Sequence, residues 1–134
     1  MTTSRTDNAA AAPAAAFWTD LEQALGPNGF SRGAGAIPEK YWTDWSGTPP
    51  VPPLALLRPR STEEVSALLR ICHAHRVPVV PQGGLTGLAG AAVPVAQGVA
   101  VALDRMQQIE DVNARTGLMT VQAGVSLQTV QEAA

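Results

Sequence analysis

The chain has 134 residues, 46% hydrophobic and 15% charged, and nine Lys and Arg against eleven Asp and Glu leave a formal net charge of −2. That balance argues against a nucleic-acid partner or an anionic membrane surface held by counterion release, and no apolar run reaches the roughly 20 residues of a membrane helix. The single cysteine, Cys72, rules out an internal disulfide or a Cys-rich zinc site and points to a reducing compartment, the cytoplasm.

Residues 1–16 are alanine-biased and hold no branched apolar side chain to bury, so they read as a disordered tail. Phe17, Leu21, Ala24 and Leu25 recur at helical spacing, and Gly26-Pro27 stops the short amphipathic helix they predict. From Asn28 to Pro53, Gly29, Gly33, Gly35 and prolines 38, 49, 50 and 52 leave room only for short extended pieces. The same stretch carries Tyr41, Trp42 and Trp45.

Leu54 to Leu57 reads as a short buried strand closed by Arg58-Pro59. A helix follows, opened by a capping box of Ser61 and Glu64 and lined on one face by Val65, Leu68, Leu69 and Cys72. His75 and Arg76 suit the negative end of its dipole, and Val77 to Val80 resumes as a strand. The unit is β-α-β, expected to be parallel and right-handed. Val99 to Leu103 reads as a further buried strand, and Ile109 to Asn113 with Leu118 to Gln122 as a hairpin turning at Ala114 to Gly117. Gly124 breaks that strand, and Ser126 caps a final helix that reaches Ala134 with no C-cap signal, as though the chain were cut there.

Four glycines, at 83, 84, 87 and 90, follow the strand ending at Val80. Glycine permits left-handed backbone angles and has no Cβ to hold a ligand away, so successive N–H groups can turn towards an anion such as a pyrophosphate. Gln82 and Thr86 can add side-chain hydrogen bonds. No Lys or Arg lies between residues 77 and 104, so such a site depends on amide dipoles, with Arg58, Arg60 or Arg76 as nearby cations. A Walker A loop is absent because no Gly-Lys-Ser/Thr occurs. The Rossmann fingerprint also fails, since these glycines lead towards Pro94 and a strand rather than into a helix. The residues alone leave a structural turn and a ligand cradle both open.

His73 and His75, two apart on a helix, cannot converge on one ion. Cys72 with His75 faces better but lacks a third ligand, so no metal site is expected: Cys72 reads as packing and both histidines as a solvated helix end. Asp44, between Trp42 and Trp45, reads as a turn or capping residue. Arg58 either anchors its strand end or approaches a ligand. No nucleophilic triad or dyad can be assembled.

Three stretches carry a resemblance: Leu57 to Val65 (LRPRSTEEV), 78–94 (PVVPQGGLTGLAGAAVP) and 121–128 (VQAGVSLQ). In this order and spacing they resemble the start of an FAD-binding domain of the vanillyl-alcohol oxidase and p-cresol methylhydroxylase superfamily. The closest likeness is to its D-2-hydroxyglutarate and D-lactate dehydrogenase branch and to the glycolate oxidase FAD subunit. It covers about residues 37 to 134 and includes the segment Tyr41 to Gly47. The resemblance implies an α+β fold, the N-terminal part of a PCMH-type FAD-binding domain over residues 17–134, with the later substrate domain and its catalytic residues absent.

It further implies that the FAD pyrophosphate meets Pro81, Gln82, Gly83, Gly84, Leu85, Thr86, Gly87, Leu88 and Gly90, chiefly through their backbone. The family usually has Asn where Leu85 stands and Gly where Ala91 stands, and both departures are expected to weaken FAD binding. Covalent members place a linking histidine just after the paired glycines, so Leu85 implies a dissociable, non-covalent FAD. The implied activity is oxidation of a small-molecule D-2-hydroxy acid of the 2-hydroxyglutarate, lactate or glycolate type to the 2-oxo acid, with electrons passing to a separate acceptor. The alternatives are an alcohol or phenol oxidase of the vanillyl-alcohol type and a non-catalytic fragment.

Overall fold

The computed structural model describes residues 11–134. The expected tail falls outside the described residues for its first ten positions. Its last two, Ala15 and Ala16, instead open helix α1 (Ala15–Leu25). Alanine has the highest helix propensity, so the helix extends into the alanine-rich stretch without a capping signal. No side chain caps its start, and the helix is held by Phe17, Leu21 and Leu25, which are fully buried. Burial of each such side chain contributes roughly 1.5–3 kcal/mol. Gly26, at φ +73°, ends it by donating its N–H to Glu22 O at 2.9 Å.

A four-stranded sheet forms the centre, in the order β1, β2, β4, β3. These strands are β1 (Phe30–Arg32), β2 (Ala55–Leu57), β3 (Val79–Gln82) and β4 (Val99–Ala102). β1 pairs antiparallel with β2, while β2 and β3 each run parallel to β4. β2 and β3 are thus parallel, as expected of a β-α-β unit, but they are not neighbours, because β4 lies between them. Every residue of β2 and β4 is buried, as suits central strands covered on both faces.

Alternation along the strands divides the core. Ala55, Leu57, Val99 and Val101 pack against α1 and against Leu68 and Cys72 of helix α2 (Thr62–Ala74). Leu56, Ala100 and Ala102 face the other way, onto Ile37 and Tyr41, with Trp42 and Leu85 at the margin. Two short 3₁₀ turns, Ala34–Ala36 and Glu39–Trp42, carry that second layer and had no counterpart in the expected irregular stretch.

The sequence reading of α2 needs two corrections. Ser61 Oγ accepts from Glu64 N at 3.1 Å, but the Glu64 carboxylate accepts from Arg60 N at 2.7 Å rather than from Ser61. Leu69 is 46% exposed, because one residue beyond Leu68 turns it about 100° off the buried stripe. β3 also begins later and runs further than expected. Val77 N–H still bonds to Cys72 O at the helix end, and pairing starts where Pro78 O accepts from Val99 N at 2.9 Å. Pro81 is tolerated inside β3 because the strand is at the sheet edge.

β5 (Ile109–Asn113) and β6 (Leu118–Val121) form the expected hairpin as a separate two-stranded sheet, turning with Gly117 at φ +69°. Helix α3 (Leu127–Ala133) opens where Ser126 Oγ accepts from Thr129 N at 3.1 Å. No described helix is long and apolar enough to cross a membrane.

Candidate functional site

The three parallel strands deliver their following residues to one edge of the sheet. β2 runs into Arg58, β3 into Gly83 and β4 into Leu103-Asp104. The carboxyl ends of parallel strands are where open α/β sheets bind ligands, because loops there are free to diverge from a rigid base.

Asp104 is the polar hub of this edge. Arg58 donates from Nε to Oδ1 at 3.0 Å and from Nη2 to Oδ2 at 2.9 Å, and the Tyr41 hydroxyl donates to Oδ2 at 2.7 Å. Partial desolvation pushes the Asp104 pKa up. The hydrogen bonds from Arg58 and Tyr41, with the charges of Arg58 and Lys40, outweigh it and hold the carboxyl below its ordinary value. Desolvation and the same carboxylate raise the Tyr41 pKa. Of the two roles open to Arg58, the geometry shows the anchoring one: it ties the end of β2 to the end of β4. Its charge is matched by Asp104, and Arg60 is matched by Glu64 at 3.8 Å.

Two clefts meet at the paired glycines. One, of 360 Å³, is lined by Lys40, Tyr41, Thr43, Asp44, Trp45, Asp104 and residues 83–86. The other, of 230 Å³, is lined by Gly83, Gly84, Asp104, Gln107 and residues 123–126. The glycine loop and the 121–128 stretch, nearly 40 residues apart in sequence, therefore share one site. Gly124 makes that approach possible. A Cβ there would collide with Leu103 O and lie 2.8 Å from Met106 O, to which its own N–H bonds at 2.8 Å.

Of the predicted cofactor residues, Gly83, Gly84, Leu85 and Thr86 line the larger cleft, whereas Pro81, Gly87, Leu88 and Gly90 line neither. A Cβ on Gly83 would meet no atom within 4 Å, and one on Gly84 only Thr86 Oγ1 at 3.9 Å. Among the described residues, the N–H groups from Gly83 to Gly87 bond to no backbone carbonyl. This is a row of unused donors beside open space, which is what an anion cradle requires. Leu85 sits at φ +60°, a left-handed conformation that Asn tolerates better than Leu, and its side chain packs on the Ile37 and Tyr41 cluster. Gln82 is 1% exposed and turns inward, away from both clefts.

The downstream half of the loop is fastened to the 41–48 segment. Trp45 N–H donates to Gly87 O at 3.0 Å, and Gly90, at φ +76°, leaves 2.9 Å between a Cβ position and Thr48 Oγ1. Asp44 is buried, and its Oδ1 accepts from Ser46 N at 2.9 Å, the turn role expected of it. Hydrogen bonds from Ser46, reinforced by the amides of Ala92 and Gly90, lower its pKa.

Four residues at the site escaped the sequence reading: Lys40, Asp104, Gln107 and, beyond its role as a strand breaker, Gly124. Asp104 had a signal, since it follows the most continuously apolar strand. His75 was read as solvated, yet its Nε2 lies 2.8 Å from Asp20 Oδ2 and its ring packs edge-on against Phe17. Cys72 is buried, and desolvation pushes its thiol up to about 11, so it is not a nucleophile. Among the described residues no three His, Cys, Asp or Glu side chains form a metal-binding group.

A mixed sheet whose three parallel strands end beside a glycine-rich loop with unused N–H groups has the form of a domain able to hold an anionic cofactor. Residues 53–134 match the FAD binding domain family, and the chain belongs to it. The chain is 43% identical over 96 residues to D-2-hydroxyglutarate dehydrogenase of Xanthomonas citri pv. viticola, covering 72% of this chain and 20% of that protein. It is 37% identical over 108 residues to the probable mitochondrial D-lactate dehydrogenase of Danio rerio, covering 81% and 22%. The fold is similar to the crystal structure of p-cresol methylhydroxylase with substrate bound, with a TM-score of 0.75 and 20% identity over 88% of this chain and 24% of that one. The chain spans about a fifth of the length of the curated relatives it matches. The family indicates FAD as the cofactor.

Proposed function

We propose that this chain supplies the pyrophosphate-binding part of the FAD site of an oxidoreductase that converts a D-2-hydroxy acid to its 2-oxo acid and passes the electrons to a separate acceptor. The observation that carries the proposal is that, among the described residues, the amides from Gly83 to Gly87 bond to no backbone carbonyl, beside Gly83, whose missing Cβ leaves open space. Names of relatives at 37% and 43% identity support a 2-hydroxyglutarate or lactate type of substrate, and that of the Escherichia coli glycolate oxidase subunit, at 40% identity over 81 residues, supports a glycolate type.

Hydride acceptance from the substrate carbon is the chemistry that FAD supplies when bound. Gly83, Gly84, Leu85 and Thr86 would hold its pyrophosphate through N–H groups, with Thr86 adding a hydroxyl. Pro81, Gln82, Gly87, Leu88 and Gly90 shape the loop around that contact. Both clefts carry the carboxylate of Asp104, but its pairing with Arg58 removes most of the repulsion an anion would meet there. FAD is held non-covalently, because Leu85 offers no nucleophile where covalent relatives carry histidine.

Two measurements test this. An enzyme that contains this chain together with a substrate domain is expected to reduce an artificial electron acceptor with D-2-hydroxyglutarate, D-lactate or glycolate, whereas this chain by itself is expected to bind FAD without turnover, and acid precipitation is expected to leave all flavin in the supernatant. Failure to bind FAD, or turnover of phenolic alcohols in place of all three acids, would overturn the proposal. Flavin remaining on the acid-precipitated polypeptide would overturn the non-covalent assignment alone.

A further inference from the structure

We infer that Gln82 is a positioning residue, which sets the shape of the anion cradle from behind rather than touching the cofactor. It is the last residue of β3 and is almost wholly buried at 1% exposure, so its side chain is not offered to a ligand. Its Nε2 donates to Tyr41 O at 2.9 Å and to Ala92 O at 2.8 Å. One amide nitrogen therefore joins three places in the chain: the end of the edge strand, the 39–42 turn that walls the larger cleft, and the point where the glycine loop returns to the body.

The remaining bonds of the loop show what this achieves. Gly87 O is held by Trp45 N–H at 3.0 Å, and Ala92 O by Gln82. The loop is thus fixed at its foot, its middle and its return, and residues 83–86 arch between the first two of these points with N–H groups that bond to no backbone carbonyl among the described residues. Pinning those three points selects one arch out of the many that a segment with four glycines can adopt, and ligand binding then need not order the loop.

The chemistry of the site calls for glutamine. Two carbonyl oxygens converge on one position, so the group between them must donate twice from one atom. Glutamate would place a carboxylate against both oxygens, methionine would fill the volume with no donor, and asparagine is one methylene too short. The same two carbonyls settle the orientation of the amide, and leave Oε1 buried with no partner among the described residues.

The inference rests on the cradle being the FAD pyrophosphate site, and its test separates the two. In protein labelled with ¹⁵N-glutamine and ¹⁵N-glycine, the Gln82 side-chain NH₂ is expected to be protected from solvent exchange without ligand. The backbone N–H groups of Gly83 and Gly84 are expected to exchange freely until ADP is added. Gln82→Glu is expected to raise the Kd for both ADP and FAD at least tenfold, and Gln82→Met at least threefold. A side-chain NH₂ that exchanges freely in the free protein and becomes protected only with ADP would make Gln82 a ligand contact and overturn the inference. So would a folded Gln82→Met protein that binds ADP as the parent does. If both variants fail to fold, the exchange measurement on the parent protein decides. No binding of ADP or FAD by the parent would instead overturn the cofactor reading.

Discussion

Gly83→Ala separates the cofactor site from the scaffold. The added methyl meets no protein atom within 4 Å, and Gly83 is not among the glycines with positive φ, so alanine fits the backbone without strain. Stability should change by no more than about 0.5–1 kcal/mol, and in the favourable direction, because alanine narrows the unfolded ensemble. The melting temperature should therefore lie within a few degrees of the parent or slightly above it. The cofactor meets a different situation, since the methyl occupies the space through which a phosphate must approach the amides. Losing one hydrogen bond to a charged group, at roughly 1.5–3 kcal/mol, weakens FAD binding about tenfold to a hundredfold or slightly more. A flavin-fluorescence titration and a thermal melt of the same two proteins read both quantities. An unchanged Kd, or a melting temperature lowered by many degrees, would refute the reasoning: the first removes the cradle, the second makes Gly83 a structural turn.

Three further outcomes are expected. Gly124→Ala should behave in the opposite way, lowering stability by about 2 kcal/mol or more in a chemical-denaturation series, because the new Cβ collides with backbone that cannot rotate aside. Asp104→Asn should lower stability by about 1–2 kcal/mol at pH 7, a figure discounted for the partial exposure of the Arg58 pair. Because the folded pKa of Asp104 is depressed, its contribution is fully present above the ordinary carboxylate value near 4 and is lost as pH falls below that. The stability of the parent should thus fall more steeply between about pH 5 and pH 3 than that of Asp104→Asn, and parallel curves would contradict the assignment. Cys72, with its thiol raised to about 11, should resist alkylation by iodoacetamide at pH 8 until denaturant is added, and rapid labelling of the native protein would contradict its burial.

Local signals in the chain were sufficient wherever the physics is local. The Ser61 cap, the burial of Leu68 and Cys72 on the face read for α2, the turn at Gly117 and the strand from Val99 each depend on residues within a few positions of one another, although that reading wrongly placed the exposed Leu69 on the same face. The glycine loop was visible for the same reason: glycines at 83, 84, 87 and 90 mark a segment whose amides can be left exposed. The membership of residues 53–134 in the FAD binding domain family was legible too, through three stretches kept in order and spacing.

What the chain alone could not disclose are the meetings between distant segments. The insertion of β4 between β2 and β3 depends on which strands bury best side by side, and that choice in turn places Asp104 beside Arg58, 46 positions away. The same placement decided that Arg58 anchors a strand end, and that Gln82 faces the interior although its type and neighbours suggested a ligand contact. His75 found Asp20 across 55 positions for the same reason. Spacing and propensity set which segments form and which atoms they expose. Burial and hydrogen-bond pairing between segments, which no short stretch contains, decided which of those atoms are consumed inside the fold and which remain free for a cofactor.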